Sequence, residues 1–311
     1  MKDLAGSNKD LSVLVIGGSG QVGSEIRALG EIANVFLSFP DSTEFNLTNI
    51  NTIKTFLDSH SFDIILNLGA YTSVDNAEKD HKLCNEINHI APIILAKEAK
   101  DRDLGLIHIS TDYVFGKKKA GPFKTTDIRD PVNYYGKTKA LGEVGVLSHY
   151  KKSIVIRLSS VFSQYGNNFV KTITRALLQK NDVKVITDQM ISLTYASDFS
   201  NNILQIIELY QNLKEFENQN DRLLHFASPI YTDWFSVANI IYNEIENYTN
   251  QPLVANLIPI LSNEWNSLAP RALDTRLSVD YKFLQEKNIN FSSWENSVKL
   301  VVRNVLSNIE G

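Results

Sequence analysis

A single cysteine, Cys84, stands in a chain of 311 residues, which excludes an internal disulfide framework and fits a reducing compartment. It falls within a helical pattern, where a lone thiol serves as a small packing residue. No apolar run approaches the roughly 18 residues that a membrane-crossing helix needs. Residues 1–10 are polar and mixed in charge, without the apolar centre of a signal peptide, which predicts a cytoplasmic protein. Blocks of like charge are also missing: 31 basic residues face 35 acidic ones for a net charge of -4. The densest basic run is the three lysines at 117–119, which reads as a solvated loop tip. The balance therefore predicts neither a nucleic-acid nor a membrane partner. Metal-ligand spacings, internal repeats and low-complexity linkers are absent too, so no metal site is expected.

What is present is an alternation of buried strands and amphipathic helices. The run Leu11-Ser12-Val13-Leu14-Val15-Ile16 is apolar almost throughout, as a strand covered on both faces must be. It leads into Gly17-Gly18-Ser19-Gly20-Gln21-Val22-Gly23 and then a helical pattern through Ile26 and Leu29. A strand, a glycine turn and a helix in that order form the setting of a dinucleotide-binding loop, although a glycine cluster alone is equally a plain turn. Glycines permit the tight turn and let backbone N–H groups approach a pyrophosphate, which the positive end of the helix also attracts.

Further strands are expected at 35–39, 63–70, 104–109 and 153–158, with helices at 81–100 and 133–148. Repeated strand–helix units imply an α/β fold, a doubly wound parallel sheet of the Rossmann kind. Beyond residue 159 the rhythm loosens. Helices are expected up to 178 and at 195–210 and 232–248, with strands at 183–187 and 253–258, two terminal helical segments, and an exposed loop over 211–221. We read residues 11–162 and 188–226 as the dinucleotide-binding domain, and 163–187 and 227–311 as a smaller interleaved α/β lobe that closes over the strand ends.

The chemistry concentrates between Ser110 and Lys139. If the segment after Asn133 is helical, Tyr135 and Lys139 stand one turn apart on a shared face, a phenol beside an ammonium. A positive charge there favours the phenolate and brings a group with a free pKa of about 10 toward useful acid–base chemistry. An exposed helix pair would carry the same spacing. Thr111 offers a second hydroxyl at the end of the fourth strand, and Asp112 lies just past it, where open parallel sheets bind ligands. Asp41 follows Gly23 by 18 residues, near the end of the second strand. Its carboxylate is placed either to accept from the adenosine ribose and repel a 2'-phosphate or simply to form a turn after Pro40. With no arginine beside it in the chain, the reading favours NADH over NADPH.

Four motifs in order, Tyr71-Thr72-Ser73-Val74-Asp75-Asn76-Ala77-Glu78, Ser110-Thr111-Asp112-Tyr113-Val114-Phe115, Tyr135-Gly136-Lys137-Thr138-Lys139 and Gly166-Asn167-Asn168-Phe169, resemble the signatures of the dTDP-4-dehydrorhamnose reductase family. These are extended short-chain dehydrogenases. The resemblance implies that Gly17, Gly20, Gln21, Val22 and Gly23 hold the pyrophosphate, that Asp41, Asn46 and Leu47 lie near the adenosine, and that Ala70, Tyr71 and Thr72 run along the cofactor. It places Thr111, Asp112 and Asn168 at the nucleotide sugar. It implies hydride transfer from NADH or NADPH to the C4 carbonyl of a dTDP-linked 4-keto-6-deoxyhexose for polysaccharide biosynthesis. Tyr135 would give the proton, Lys139 would tune it and hold the nicotinamide ribose, and Thr111 would bond the same oxygen. The family also admits a homodimer.

Tyr113 stands where related dehydratases carry a glutamate, which disfavours dehydration. Three departures fall on the sugar side. Ser160 replaces a usual tryptophan, Asp188-Gln189-Met190-Ile191-Ser192-Leu193-Thr194 has lost a glycine and a proline, and Arg271-Ala272 has lost a proline. They keep open a non-catalytic nucleotide-binding subunit resembling the regulatory subunit of methionine adenosyltransferase, and a sugar-nucleotide 4-epimerase.

Overall fold

The computed structural model describes residues 10–179, 182–211 and 222–310; the loop expected at 211–221 lies, apart from Gln211, outside them. Six strands, β1 (Leu11–Ile16), β2 (Val35–Ser38), β3 (Ile64–Asn67), β4 (Gly105–Thr111), β5 (Ser153–Leu158) and β6 (Leu223–His225), form one sheet in the order β6-β5-β4-β3-β1-β2. Every pairing in it is parallel. The order reverses between β1 and β3, so the loops that leave these two strands border the crevice in which such sheets bind ligands.

The near-continuous apolar runs have a direct cause. Successive side chains of a strand point to opposite faces, and both faces are covered here. Val13 and Val15 of β1 pack with Val22 and Ile26 of α1 (Gln21–Ala28), whereas Leu14 and Ile16 pack on the other face with Ile53 and Leu57 of α2 (Ile50–Ser59). That second face also takes Leu95, Ala96 and Ala99 of α3 (Ala91–Asp101) and Val146 and Leu147 of α4 (Tyr134–His149). The first face is completed by Ile203, Ile206, Ile207 and Tyr210 of α5 (Ile203–Gln211). Each such aliphatic side chain contributes about 1.5–3 kcal/mol when taken from water.

Two expected helices are interrupted, each by an asparagine with a distant partner. The pattern at 81–100 resolves into a short helix His81–Asn85, a π-turn Glu86–Ile90, and α3. The extra residue of the π-turn brings Asn88 inward, where its side chain accepts from the Tyr71 amide (2.9 Å) and donates to the Tyr71 carbonyl (3.0 Å). α4 lies close against this turn, because a Cβ on Gly142 would sit 2.2 Å from the Asn88 carbonyl oxygen. The pattern at 195–210 breaks at Asn202, between the helix Ala196–Asn201 and α5. Its side chain both donates to the Asn290 carbonyl (2.7 Å) and accepts from the Asn290 amide (3.0 Å).

A second apolar core lies apart from the sheet. Helices Phe169–Gln179, Trp234–Thr249 and Trp294–Glu310 pack around a parallel pair of strands, Asp182–Ile186 and Asn256–Ile260. Val170, Ile173 and Leu177 recur at helical spacing, Val183 and Val185 at strand spacing, and Val237, Ile241 and Ile245 again at helical spacing. Ile191 and Leu193 belong to this core, 4% and 1% exposed. The bulk gained in that segment therefore fills the interior of the lobe, and does not wall an open sugar pocket.

Candidate active site

The glycine loop turns at Gly17, whose φ of +84° is left-handed and whose Cβ, if present, would lie 2.8 Å from the Gly69 nitrogen. A Cβ on Gly23 would fall 2.5 Å from the Gly17 carbonyl oxygen, so this glycine is what lets α1 sit close beneath the loop. Gly20 caps α1 without any side-chain bond to the first helical amides. Those N–H groups form a cradle that fits a pyrophosphate. Leu47 reaches across to the end of β3, where a Cβ on Gly69 would meet its Cδ1 at 2.7 Å.

The other adenosine-side candidates are engaged in turns. Asp41 Oδ1 accepts from the Thr43 amide (2.7 Å), the Thr43 hydroxyl (2.6 Å) and the Glu44 amide (3.0 Å). The Thr43 hydroxyl first, and then the two amides, hold this carboxyl below its usual range. Asn46 likewise accepts from the Thr48 amide and hydroxyl. The expectation that no arginine stands nearby does not survive folding. Arg27, from the last turn of α1, places its guanidinium over the Phe39 ring at 4.4 Å, two residues before Asp41.

At the end of β4 the Thr111 hydroxyl accepts from the Tyr113 amide (3.2 Å) and donates to Asp112 (3.0 Å), which opens the turn Asp112–Val114. Asp112 is 1% exposed and also accepts from the Ser159 hydroxyl at 2.8 Å. Burial raises its pKa, while the hydroxyls of Thr275, Ser159 and Thr111 oppose the rise. α4 starts against this turn, since a Cβ on Gly136 would stand 2.1 Å from the Tyr113 carbonyl oxygen. Three bonds fix its first turn: Asn133 accepts from the Gly136 amide (2.8 Å), Asn133 donates to the Pro270 carbonyl (2.9 Å), and the Tyr134 amide donates to Glu78 (2.7 Å).

Tyr135 is thereby set close to the Thr111 hydroxyl and edge-on to Tyr113 at 5.5 Å. Tyr71 packs in the same apolar cluster. Burial pushes the Tyr135 phenol well up, the Thr111 hydroxyl lowers it, and Asp112 raises it further. The phenol is therefore held protonated, the form an acid requires. Lys139 is buried one turn on, and its ammonium donates to the Ile109 carbonyl at 2.7 Å. That bond turns the ammonium toward the backbone of β4. Burial brings Lys139 itself down to about 8, against an opposing effect of Glu143.

Asn168 is not free to point at a ligand. Its amide donates to Gln21 (3.0 Å) and the Ser163 carbonyl (2.7 Å), and its oxygen accepts from the Lys171 amide (3.1 Å), which ties the second lobe to the glycine loop. Several residues at the site escaped the sequence reading. Arg271 pairs with Asp75 and also hydrogen-bonds the Tyr113 hydroxyl. Thr275 reaches Asp112, and Asn88 holds the Tyr71 backbone. The signal for Asn88 was a lone amide within an apolar helical face, and Arg271 carried none beyond its place in a weakened motif. Ser160 has a φ of +42°, a left-handed conformation that is costly for a residue with a Cβ. Among the described residues no helix is long and apolar enough to cross a membrane, and no group of three His, Cys, Asp or Glu side chains is placed to hold a metal ion.

The sequence profile of the RmlD substrate binding domain matches residues 11–307. The chain belongs to that family. Among members of the RmlD family, dTDP-4-dehydrorhamnose reductase of Aggregatibacter actinomycetemcomitans is 33% identical over 294 residues, 92% of this chain and 97% of the relative. The reductase of Escherichia coli is 29% identical over 96% of this chain and 99% of its own length. Of solved structures, dTDP-4-dehydrorhamnose reductase of Bacillus anthracis in complex with NADP superposes with a TM-score of 0.82, at 26% identity over 97% of this chain and 100% of the other. The doubly wound α/β architecture and the RmlD resemblance drawn from four motifs are thus both upheld.

Proposed function

We propose that this chain reduces the C4 carbonyl of a dTDP-linked 4-keto-6-deoxyhexose, dTDP-4-dehydrorhamnose foremost, at the expense of a reduced nicotinamide dinucleotide. One observation carries the reading: Tyr135 is buried against the Thr111 turn at the carboxyl end of β4, in the same parallel sheet whose β1 leads into a glycine loop suited to a pyrophosphate. The reductase relatives, and the NADP complex of the Bacillus anthracis enzyme, support it.

The nicotinamide, when bound, supplies the hydride to C4. The chain's own part is to bind, orient and give a proton. Tyr135 passes its phenolic proton to the C4 oxygen as the carbonyl becomes a hydroxyl, and Thr111 donates a hydrogen bond to the same oxygen. A positioned acid of this kind is worth about 10²–10⁴ in rate. Lys139, placed one turn along, holds the nicotinamide ribose and returns positive charge toward Tyr135 as the proton leaves. The amides of Gly20, Gln21 and Val22 hold the pyrophosphate, and Ala70, Tyr71 and Thr72 line the path from the adenosine to the nicotinamide. Because Asn168 is bound to Gln21, its part in sugar binding is to join the two lobes over the substrate.

The two separate apolar cores support the division into 11–162 with 188–226 and 163–187 with 227–311, although Phe162, Ile191 and Leu193 join the second core and Leu284 and Ile289 the first. A cytoplasmic location and a homodimer belong to the same reading, and the mass in solution by light scattering tests the latter. The activity is tested by supplying dTDP-4-keto-6-deoxyhexoses with NADH and with NADPH in parallel. Stoichiometric cofactor oxidation supports reduction. No net oxidation with interconversion of epimers would make the chain an epimerase, and binding without turnover a regulatory subunit.

A further inference from the structure

We infer that a cavity in the second lobe, away from the reacting groups, is a binding site for a diphosphate, either free or carried on a nucleotide. It measures about 580 Å³ and is walled by the helices Phe169–Gln179 and Trp294–Glu310 and by Gln164 and Tyr165 of the loop before the first of them. That volume falls within the roughly 300–1,000 Å³ of small-molecule sites. Lys171 and Arg175 line it one helical turn apart. Their Cβ atoms are then about 5–6 Å from each other, a spacing that the two phosphates of one molecule can bridge.

The mouth of the active site lies on another flank of the same helix. Phe169 stacks on Trp234 at 4.4 Å, next to the pairing of Thr232–Asp233 with Met190–Ile191, and the Met190 amide donates to the Leu273 carbonyl at 2.8 Å. At roughly 100° per residue, Lys171 and Arg175 lie about 160° and 120° round the helix from Phe169. They therefore face away from that mouth. Among the described residues neither has a carboxylate within ion-pair reach, and no acidic side chain lines the cavity. Lys171 donates to the Gln164 carbonyl at 2.7 Å, which leaves its other N–H bonds uncommitted, and Arg175 is exposed with no partner. Burial, and then the charge of Arg175, lower the Lys171 pKa. Two cations that repel each other in this way are both relieved by one anion. The facing wall is made of amides: Asn304 donates to the Gln164 side chain (3.1 Å), and Asn308 turns its donor back onto the Asn304 carbonyl (2.6 Å). That bond occupies one carbonyl of a helix end that would otherwise repel an anion. Tyr165 and Val305 add apolar surface on which a nucleoside can rest. The competing role is structural, since cations beside the last turn of a helix favour its carbonyl end. That role would raise the melting temperature and give no saturable binding.

The test is calorimetric titration of the intact chain, loaded first with NADP+, using inorganic pyrophosphate and, separately, ADP. Both should bind saturably, and more weakly as salt rises. Arg175→Gln should weaken both by roughly 10-fold or more, the size of lost charge-assisted bonds to a phosphate. Asn308→Asp keeps the two cations but sets a carboxylate opposite them, and should weaken both as well. A cooperative thermal melt shows that each variant has folded, and Arg175 is exposed, so its replacement leaves the core intact. ADP that binds more tightly than pyrophosphate, and loses that advantage in Tyr165→Ala, makes the ligand a nucleotide; equal affinities make it the free diphosphate. No saturable binding of either compound, or binding that survives Arg175→Gln and Asn308→Asp undiminished, overturns the inference. A lower melting temperature of Arg175→Gln beside a wild type that binds neither compound would leave the two cations with the structural role alone.

Discussion

Arg271 and Asp75, 196 positions apart in the chain, meet in a two-pronged ion pair, with Nη1 2.6 Å from Oδ1 and Nη2 2.8 Å from Oδ2. Asp75 also accepts from the Ala269 amide, and Arg271 bonds the Tyr113 hydroxyl. The arginine side-chain bond, followed by the Ala269 amide, holds the Asp75 carboxyl at about 2 despite some desolvation. The pair fastens the segment 269–277 across the mouth of the site, where Thr275 touches Asp112 and Ala272 faces Gly116.

Arg271→Ala should therefore release that segment. Asp75 is half exposed, so the stability loss should be at most about 1 kcal/mol. The KM for the nucleotide sugar should rise by roughly tenfold with dinucleotide affinity unchanged, because a misplaced wall costs orientation more than stability. Steady-state kinetics beside dinucleotide titration check this, and an unaltered KM would refute the clasp.

Tyr135→Phe removes the proton donor and keeps the ring. Turnover should drop by about 10²–10⁴, and dinucleotide affinity should stay within about threefold. Full activity in this variant would sink the assignment of Tyr135 as the acid.

Lys139 carries its charge only below about 8. The sign follows from the buried ammonium losing its proton as pH rises through that value. NAD(P)H affinity should fall between about pH 7 and 9, and Lys139→Met should bind weakly at every pH. Stability should move the other way. The unfolded chain keeps this proton up to about 10.4, so between about 8 and 10.4 the lysine contributes rising stability with pH. A dinucleotide affinity that is flat across the range would count against the role given to Lys139.

Glu143 lies one turn beyond Lys139, fully buried, and receives Arg157 at 2.8 and 2.6 Å and Arg129 at 2.5 Å. Its pKa falls to about 2 although burial alone would raise it, because the charge of Arg157 and the bonds from it prevail. A lowered carboxylate stabilises the fold above its unfolded pKa. That contribution should be lost as pH falls from about 4.5 toward 2. Glu143→Gln leaves Arg157 buried with an uncompensated charge, and should cost about 3–5 kcal/mol in urea unfolding while removing much of the acid dependence. A loss below about 1 kcal/mol would contradict this account.

Much of the architecture was written in local pattern. β1 and β5 fall where continuous apolar runs placed them, β2 and β4 were located to within two residues, and β3 stops three residues short of the run expected at 63–70, because burial on both faces leaves a signal that needs no partner to be read. The Tyr135 and Lys139 pair was legible for the same reason, a spacing fixed by the helix. What escaped the sequence depends on residues that meet only after folding. Arg27 precedes Phe39 by twelve positions and Asp75 precedes Arg271 by 196, and neither interval carries a periodicity. The breaks at Asn88 and Asn202 are set by Tyr71 and Asn290, far along the chain, so both helices looked uninterrupted. The bond from Lys139 to the Ile109 carbonyl was likewise out of reach, because spacing fixes the face of a helix but not which acceptor a side chain on that face meets.

The close seating of Gly142 on the Asn88 carbonyl has a mechanical result. Through it the tyrosine helix, the π-turn and the Tyr71 backbone form one rigid block, with the proton donor and the bed of the nicotinamide on the same piece. A substitution at Gly142 should therefore disturb Tyr135 and the Tyr71 backbone together.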